Sequence, residues 1–257
     1  MISTITFLTS LGFAVIYPLC FWLSGRDPLK NNFHHFHLGL PCFVGGVVVI
    51  FGWFGSLSVV SKWLLTFWIV SLIGVSWSAW KRDSVNVWLV SVAVLIGVLA
   101  YHSVASQWVS SKWTATFLGV LSGAILSAAM YAMNLGHWYL NVHGLPLRHL
   151  RQAVYAFGAL LLGRIFWDGT ALIFGKTLYE GEVIPIYRFL WTMDGFFISL
   201  GLFFGLLLPL TTLFLVLETI RLKNTQSATG ILYVVLAAVF IGEVSFKYYF
   251  VHFGIAL

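Results

Sequence analysis

The sequence has very little charge for its length. Of its 257 residues, 9% are Asp, Glu, Lys or Arg, 60% are hydrophobic, and the mean hydropathy is +0.94. A soluble globular domain carries about 25% charged residues. This composition therefore excludes water as the main solvent of the folded chain and indicates an integral membrane protein.

The sequence signatures of soluble enzymes are also absent. There is no Gly-x-Ser-x-Gly of serine hydrolases, no glycine loop for phosphates and no His-Glu-x-x-His of zinc peptidases. The two cysteines, Cys20 and Cys42, lack a Cys-x-x-Cys spacing, so we expect neither a disulfide nor a metal site there. The net charge of +6 comes from cations near the ends of apolar segments. That position favours membrane topology as its cause and argues against nucleic acid as a partner.

Long continuous apolar runs predict membrane-spanning helices. Hydrocarbon leaves backbone polar groups without partners, so only helices and closed barrels span it, and barrel strands alternate in polarity. With about 20 residues per crossing, we predict a single domain over residues 1–257, an all-α bundle of about eight transmembrane helices. The predicted helices are Ile2–Ser24, Gly39–Val60, Trp63–Trp80, Val87–Gln107, Thr114–His137, Leu150–Gly175, Ile186–Leu217 and Ala228–His252.

Some details of these helices follow from particular residues. The seventh run is longer than one crossing needs, and Pro209 inside it predicts a kink or the inner end of the span. The second and third runs are separated by Ser61 and Lys62 alone, which predicts a tight hairpin. Two Gly-x-x-x-Gly pairs, at 119–123 and at 201–205, predict close packing between helices.

The distribution of positive charge predicts the orientation in the membrane. Eight cations follow odd-numbered helices, and four follow even-numbered ones. The positive-inside rule then places the odd connections in the cytoplasm and both chain ends outside, and we expect a bacterial cytoplasmic membrane. The eight are Arg26, Lys30, Lys81, Arg82, Arg148, Arg151, Arg221 and Lys223, and the four are Lys62, Lys112, Lys176 and Arg188.

Two pairs of opposite charges lie inside predicted helices. Arg164 and Asp168 are four residues apart in the sixth helix, and Glu243 and Lys247 repeat that spacing in the eighth. Each pair therefore shares one helical face. Ionisable groups in a bilayer are expected to face the bundle interior. We predict a polar cavity, mostly in the outer half, built from His102, Arg164, Asp168, Asp194, Glu243 and Lys247.

Two interpretations of this cavity stay open. It could bind a quinone headgroup or carry protons, because carboxyl groups in a low dielectric can exchange protons near neutral pH. Alternatively, the two ion pairs neutralise themselves and hold the bundle in register, with Asp194 near water.

The histidines fall into two groups by depth. A b-type haem takes an imidazole on each face of its ring, commonly from two helices. One of His34, His35 and His37 could pair with His137 across a haem, and His102 could pair with His252. The alternative is that these rings sit at the membrane interfaces, where an apolar body with a polar edge is favoured. The cytoplasmic group is His34, His35, His37, His137, His143 and His149, and the outer group is His102 and His252.

The stretch from residue 136 to residue 151 is the least ordinary part of the sequence. It combines three histidines, Trp, Tyr and Asn with a Gly-Leu-Pro turn and two arginines. Arg148 and Arg151 could hold the propionates or phosphates of an anionic cofactor through bidentate contacts. As plain structure, the stretch is an interfacial turn whose arginines fix the topology.

Three functions are compatible with these features. We favour a membrane subunit of a respiratory or electron-transfer complex that binds b-type haem or quinone. Histidines lie near both predicted faces, aromatic residues are abundant, and the predicted chain has little mass outside the bilayer. Other membrane or peripheral subunits would then supply any catalytic domain. The alternatives are a proton- or ion-coupled transporter or channel, and a purely structural membrane subunit.

Overall fold

Eight long apolar helices make up most of the structure. The computed structural model describes residues 2–24, 33–80, 82, 84–109, 111–142 and 145–257. Its helices are long and apolar enough to cross a membrane, so the chain is a multi-pass membrane protein, and the predicted all-α bundle of eight spans is confirmed. The spans are α1 Ile2–Leu23, α2 Phe33–Phe54, α3 Val59–Ala79, α4 Val87–Ala105, α5 Lys112–Asn141, α6 Arg148–Phe174, α7 Phe196–Arg221 and α8 Thr225–Phe253.

Successive spans cross in opposite directions, which defines two sides of the bundle. One side carries both chain ends and the connections α2–α3, α4–α5 and α6–α7; we call it the terminal side. The other side, which we call the opposite side, carries the remaining connections. The orientation predicted above places the terminal side outside the cell. Three of the cations behind that prediction, Arg26, Lys30 and Lys81, lie outside the described residues.

The centre of the bundle is formed by α1 and α5. In each of them 72% of the most apolar 18-residue stretch is buried, while no other described span exceeds 44%. The α5 helix contacts α1, α4, α6 and α8. Gly123 of α5 faces the backbone of Gly12 of α1, where a Cβ would come within 2.5 Å of the Gly12 carbonyl oxygen. The predicted close packing at 119–123 is therefore confirmed, because only glycine leaves room for this approach.

The α7 helix contains the predicted irregularity and packs on α8 through its glycines. Residues Phe203–Leu207 form a π-helical turn, and Pro209 follows at the start of the next α-helical segment. A proline lacks the N–H that would continue the regular ladder, so the wider turn falls just before it. Gly205 lies against Gly242 of α8, and Gly201 lies against Ser245. The predicted close packing at 201–205 is confirmed.

The connection from α6 to α7 corrects the prediction of one helix over 186–217. A two-stranded antiparallel hairpin, Lys176–Tyr179 with Glu182–Pro185, precedes a one-turn helix at Ile186–Phe189, and α7 begins at Phe196. Glu180 and Gly181 form the hairpin turn with φ of +51° and +86°, as a two-residue turn of this hand requires. The turn at 190–195 was not predicted, because it lies within a continuous apolar run. The Thr192 hydroxyl closes this turn by accepting a hydrogen bond from the Gly195 N–H at 3.1 Å.

Two other helix boundaries differ from the prediction. The α2 helix begins at Phe33 instead of Gly39, so three histidines lie on its first turns and not in a connection. The α3 helix begins at Val59, because the Ser58 side chain caps it by accepting a hydrogen bond from the Ser61 N–H. Ser61 and Lys62 therefore belong to the helix and do not form its connection.

Candidate functional site

The candidate site is centred on an ion pair buried in the middle of the bundle. The Arg164 Nε donates to both carboxylate oxygens of Asp168, at 2.9 Å and 3.0 Å, one turn further along α6. Each side chain is 1% exposed. The pair predicted from the four-residue spacing is therefore formed, and it faces the bundle interior.

A second ion pair, on α8, joins the first. Lys247 Nζ donates to Glu243 Oε2 at 2.9 Å, again across one helical turn. Glu243 Oε1 lies 3.9 Å from Arg164 Nη1, so the two pairs form one network between α6 and α8. We call Arg164, Asp168, Glu243 and Lys247 the charge network. Its two cations and two anions sum to zero, which lowers the cost of keeping it away from water.

Side chains of α5 and α8 contact Arg164, and a tyrosine of α4 packs on α5 about one turn from Ser122. Ser122 of α5 accepts a hydrogen bond from Arg164 Nη1 at 2.8 Å. The guanidinium carbon lies 4.6 Å from the ring centre of Phe246, a cation–π contact. The Tyr101 ring of α4 packs against Gly119, where a Cβ would overlap it. These partners were not predicted. Ser122 was the one with a signal in the sequence, because it is a polar residue beside Gly123, where close helix packing was predicted.

The charge network borders a small cavity towards the terminal side. The cavity has a volume of about 20 Å³, which is the size of one water molecule. Arg164, Lys247, Ser122 and Tyr101 supply its polar wall, and apolar side chains supply the rest, including Leu8 and Val109. Arg164 Nη2 is buried and has no hydrogen-bond partner among the described residues. The wall of the cavity thus combines cationic donors with apolar side chains.

Two members of the predicted cavity lie elsewhere. The prediction that Asp194 lies in a helix was wrong. Asp194 lies in the turn before α7, and its side chain is exposed. Its backbone carbonyl accepts a hydrogen bond from Tyr249. His102 is half-buried, with its Nδ1 2.7 Å from the Thr116 hydroxyl and its ring centre 4.6 Å from that of Trp113, tilted by 31°. Neither residue contributes to the wall of the small cavity.

His37 belongs to a second buried polar cluster, which has no charged members. Its Nδ1 lies 2.7 Å from the hydroxyl of Tyr17, which also accepts a hydrogen bond from Asn134 Nδ2 at 3.1 Å. Rings of Phe33 and Tyr131 pack on the imidazole, with centres 4.0 Å and 4.9 Å away. We call Tyr17, His37 and Asn134 the tyrosine–histidine cluster. Its imidazole is fully buried and enclosed by aromatic rings.

The other predicted histidines do not form facing pairs in the described part of the chain. His35 Nε2 lies 2.7 Å from the carbonyl oxygen of Trp80, and its ring stacks on the indole. His34 contacts the ring of its neighbour His35. His137 and His252 are exposed, and His252 stacks on Tyr248 one turn away. His143 lies outside the described residues.

The two arginines of the 136–151 stretch are exposed at the start of α6, on the opposite side. The stretch is not one turn, because residues up to Asn141 continue α5 and Arg148 already begins α6. Arg151 lines a cleft of about 360 Å³ between α6 and α7, whose other lining residues are Tyr155, Phe214, Leu217, Glu218 and Arg221.

A larger apolar crevice lies between α1 and α2 on the terminal side. Its volume is about 650 Å³, within the range of about 300–1,000 Å³ typical of small-molecule sites. Phe7 and Trp108 form part of its wall, with ring centres 5.8 Å apart. No sequence pattern predicted this crevice, because it depends on how two apolar helices pack against each other.

Comparisons with known proteins give no match. No family model, no curated protein and no solved structure is similar to this chain at a significant level. Among the described residues, no group of three or more His, Cys, Asp or Glu could hold a metal ion.

Proposed function

We propose that this chain is an integral membrane subunit of an electron-transfer complex that binds a quinone and handles its protons through the charge network. The observation that carries the proposal is the charge network itself: four ionisable side chains, each at most 7% exposed, beside a cavity that Arg164 and Lys247 line. Ionisable side chains at membrane depth are energetically costly, so those that a protein keeps there are candidates for a function.

The chemistry of a quinone fits these groups. Oxidation of a hydroquinone breaks two O–H bonds and releases two protons and two electrons. Asp168 and Glu243 are carboxylates that can accept a proton, and Arg164 and Lys247 can donate hydrogen bonds to a carbonyl oxygen. The electrons would pass to a partner subunit, since the described segments between the spans are short connections and one small hairpin.

Quinone is the cofactor that the geometry favours over b-type haem. A haem needs two imidazoles facing each other across the width of its ring. The described contacts of His37 and His102 are instead with Tyr17, Thr116 and aromatic rings. The proposed setting is a bacterial cytoplasmic membrane with the terminal side outside, in agreement with the positive-inside rule.

The test of this proposal is quinone binding by the purified protein in lipid nanodiscs. A benzoquinone with a ten-carbon chain and its reduced form are titrated while tryptophan fluorescence is recorded. We expect saturable binding whose pH dependence changes in Asp168→Asn. The matched control is Glu218→Gln, which alters an exposed carboxylate at the end of α7. Absence of saturable binding of both forms would contradict the proposal.

Proton-coupled transport is the second candidate, and the π-helical turn of α7 favours it. Gly205 in that turn lies against Gly242, the residue before Glu243. Single π-helical turns occur frequently at functional sites, and interrupted helices line the ion sites of many transporters. Proton flux into proteoliposomes that disappears in Glu243→Gln, together with absence of quinone binding, would support this candidate over the first.

A further inference from the structure

The apolar crevice between α1 and α2 reaches deep into the membrane. Its lining on α2 extends from Gly52 near the terminal side to Phe43, about 14 Å along the helix axis. On α1 it extends from Ser3 to Ser10. A crevice at this depth borders lipid tails and not water, so a hydrocarbon chain is the natural occupant of its apolar part.

The lining of the crevice selects a neutral head group. The described residues that line it include no Asp, Glu, Lys or Arg. A phospholipid brings a phosphate, which is normally held by Lys or Arg. A ligand whose head enters this crevice should therefore carry no charge.

Aromatic and hydroxyl side chains near the terminal side suit a flat ring with carbonyl groups. Phe7, Phe51 and Trp108 offer ring surfaces, and Thr6 and Ser10 offer hydroxyl groups. Aromatic rings favour offset or edge contacts with other rings, and hydroxyl and indole groups can donate hydrogen bonds to carbonyl oxygens. An isoprenoid quinone combines such a ring with a long hydrocarbon tail.

The crevice and the small cavity of the charge network share a wall. Phe7 and Trp108 line the crevice, and the adjacent residues Leu8 and Val109 line the small cavity. In each of these two adjacent pairs, one residue thus faces the crevice and its neighbour faces the small cavity. A ring held at Phe7 and Trp108 would lie one layer of side chains from the cavity that Arg164 and Lys247 line.

We propose that this crevice is the quinone-binding site, with the ring beside Phe7 and Trp108 and the tail along Phe43 and Val47. The inference rests on the proposed function and names the place where the quinone binds. It separates the two tasks of the site: α1 and α2 bind the quinone, and α6 and α8 handle the protons.

The test fills the crevice and compares quinone probes of different tail length. Val47 lines the crevice and is 38% exposed, so Val47→Trp places a large side chain in it. The matched control is Val70→Trp, at a 60% exposed position of α3. We expect Val47→Trp to weaken binding of the ten-carbon benzoquinone by about tenfold or more, a change of about 1.4 kcal/mol, and Val70→Trp to leave it unchanged.

A second measurement uses the unaltered chain and a conservative variant. Fluorescence quenching by the bound quinone should fall in Trp108→Phe, and a benzoquinone without a tail should bind at least about tenfold more weakly than the ten-carbon probe. A phosphatidylcholine with brominated acyl chains serves as the competing occupant. If it quenches Trp108 and the quinone does not displace it, the crevice holds bulk lipid and the inference is overturned.

The outcomes separate this inference from the proposed function. Absence of saturable quinone binding in the unaltered chain overturns both. Saturable binding that responds to Asp168→Asn but not to Val47→Trp, Trp108→Phe or tail length overturns the inference alone. Binding that responds to all of them supports both.

Discussion

The charge network and the tyrosine–histidine cluster are both buried, and both attach to α5. Ser122 contacts the first and Asn134 the second, about 18 Å apart along the helix. The charge network consists of four ionised groups that depend on one another for compensation. The cluster consists of neutral groups joined by hydrogen bonds between α1, α2 and α5, and its His37 Nε2 has no hydrogen-bond partner among the described residues. This difference predicts unequal costs when one member is removed.

The largest effect is expected from Arg164→Met. The substitution leaves Asp168 buried without its cation, and removal of one partner of a buried pair costs about 3–5 kcal/mol. Arg221→Met is the matched control, because Arg221 is 80% exposed and lies 3.5 Å from Glu218; an exposed pair contributes at most about 1 kcal/mol. The measurement is the free energy of unfolding in detergent.

A double variant sharpens this prediction. Arg164→Met with Asp168→Leu removes the pair and replaces it with apolar side chains, so we expect it to be more stable than Arg164→Met alone. Equal unfolding free energies for Arg164→Met and Arg221→Met would show that the buried charges do not depend on each other as described.

The next effect is expected from Gly242→Ala, which alters the glycine contact that positions Glu243. An added Cβ would overlap the backbone of Gly205, so α7 and α8 must separate at a cost of about 1–3 kcal/mol. Gly163→Ala is the control: no atom lies within 4 Å of its added Cβ, and alanine favours a helix by about 1 kcal/mol over glycine. The thermal unfolding temperature should therefore fall in Gly242→Ala and rise in Gly163→Ala.

The smallest effect is expected from Tyr17→Phe in the neutral cluster. Loss of the hydroxyl removes the partner of His37 Nδ1 and Asn134 Nδ2, which costs about 1–2 kcal/mol. Quinone binding should be the same as in the unaltered chain, and Tyr155→Phe at an exposed position serves as the control for stability. A change in the pH dependence of quinone binding as large as that in Asp168→Asn would contradict the assignment of proton handling to the charge network.

The two ion pairs of the charge network could be predicted from the sequence, because each pair lies within one helix. A spacing of four residues fixes two side chains on the same face whatever the rest of the fold, so Arg164 with Asp168 and Glu243 with Lys247 could be predicted. The joining of the pairs could not, since the 3.9 Å approach of Glu243 to Arg164 depends on how α6 and α8 pack.

The histidines show the opposite case. Their spacing in the sequence did not reveal that His37 is fully buried while His137 is exposed. The partner of His37 is Tyr17, from a different helix. Asp194 was placed in a helix because hydropathy does not distinguish an apolar turn from an apolar span.

The sequence by itself determined the solvent, the number of spans and the positions that need close packing. These follow from composition, from the length of apolar runs and from glycine spacing, all of which are local properties. The tertiary structure alone decided which polar groups meet, where α7 begins, and that α1 and α2 leave an apolar crevice between them. Those features depend on the relative placement of whole helices, and contacts between residues far apart in the chain set that placement.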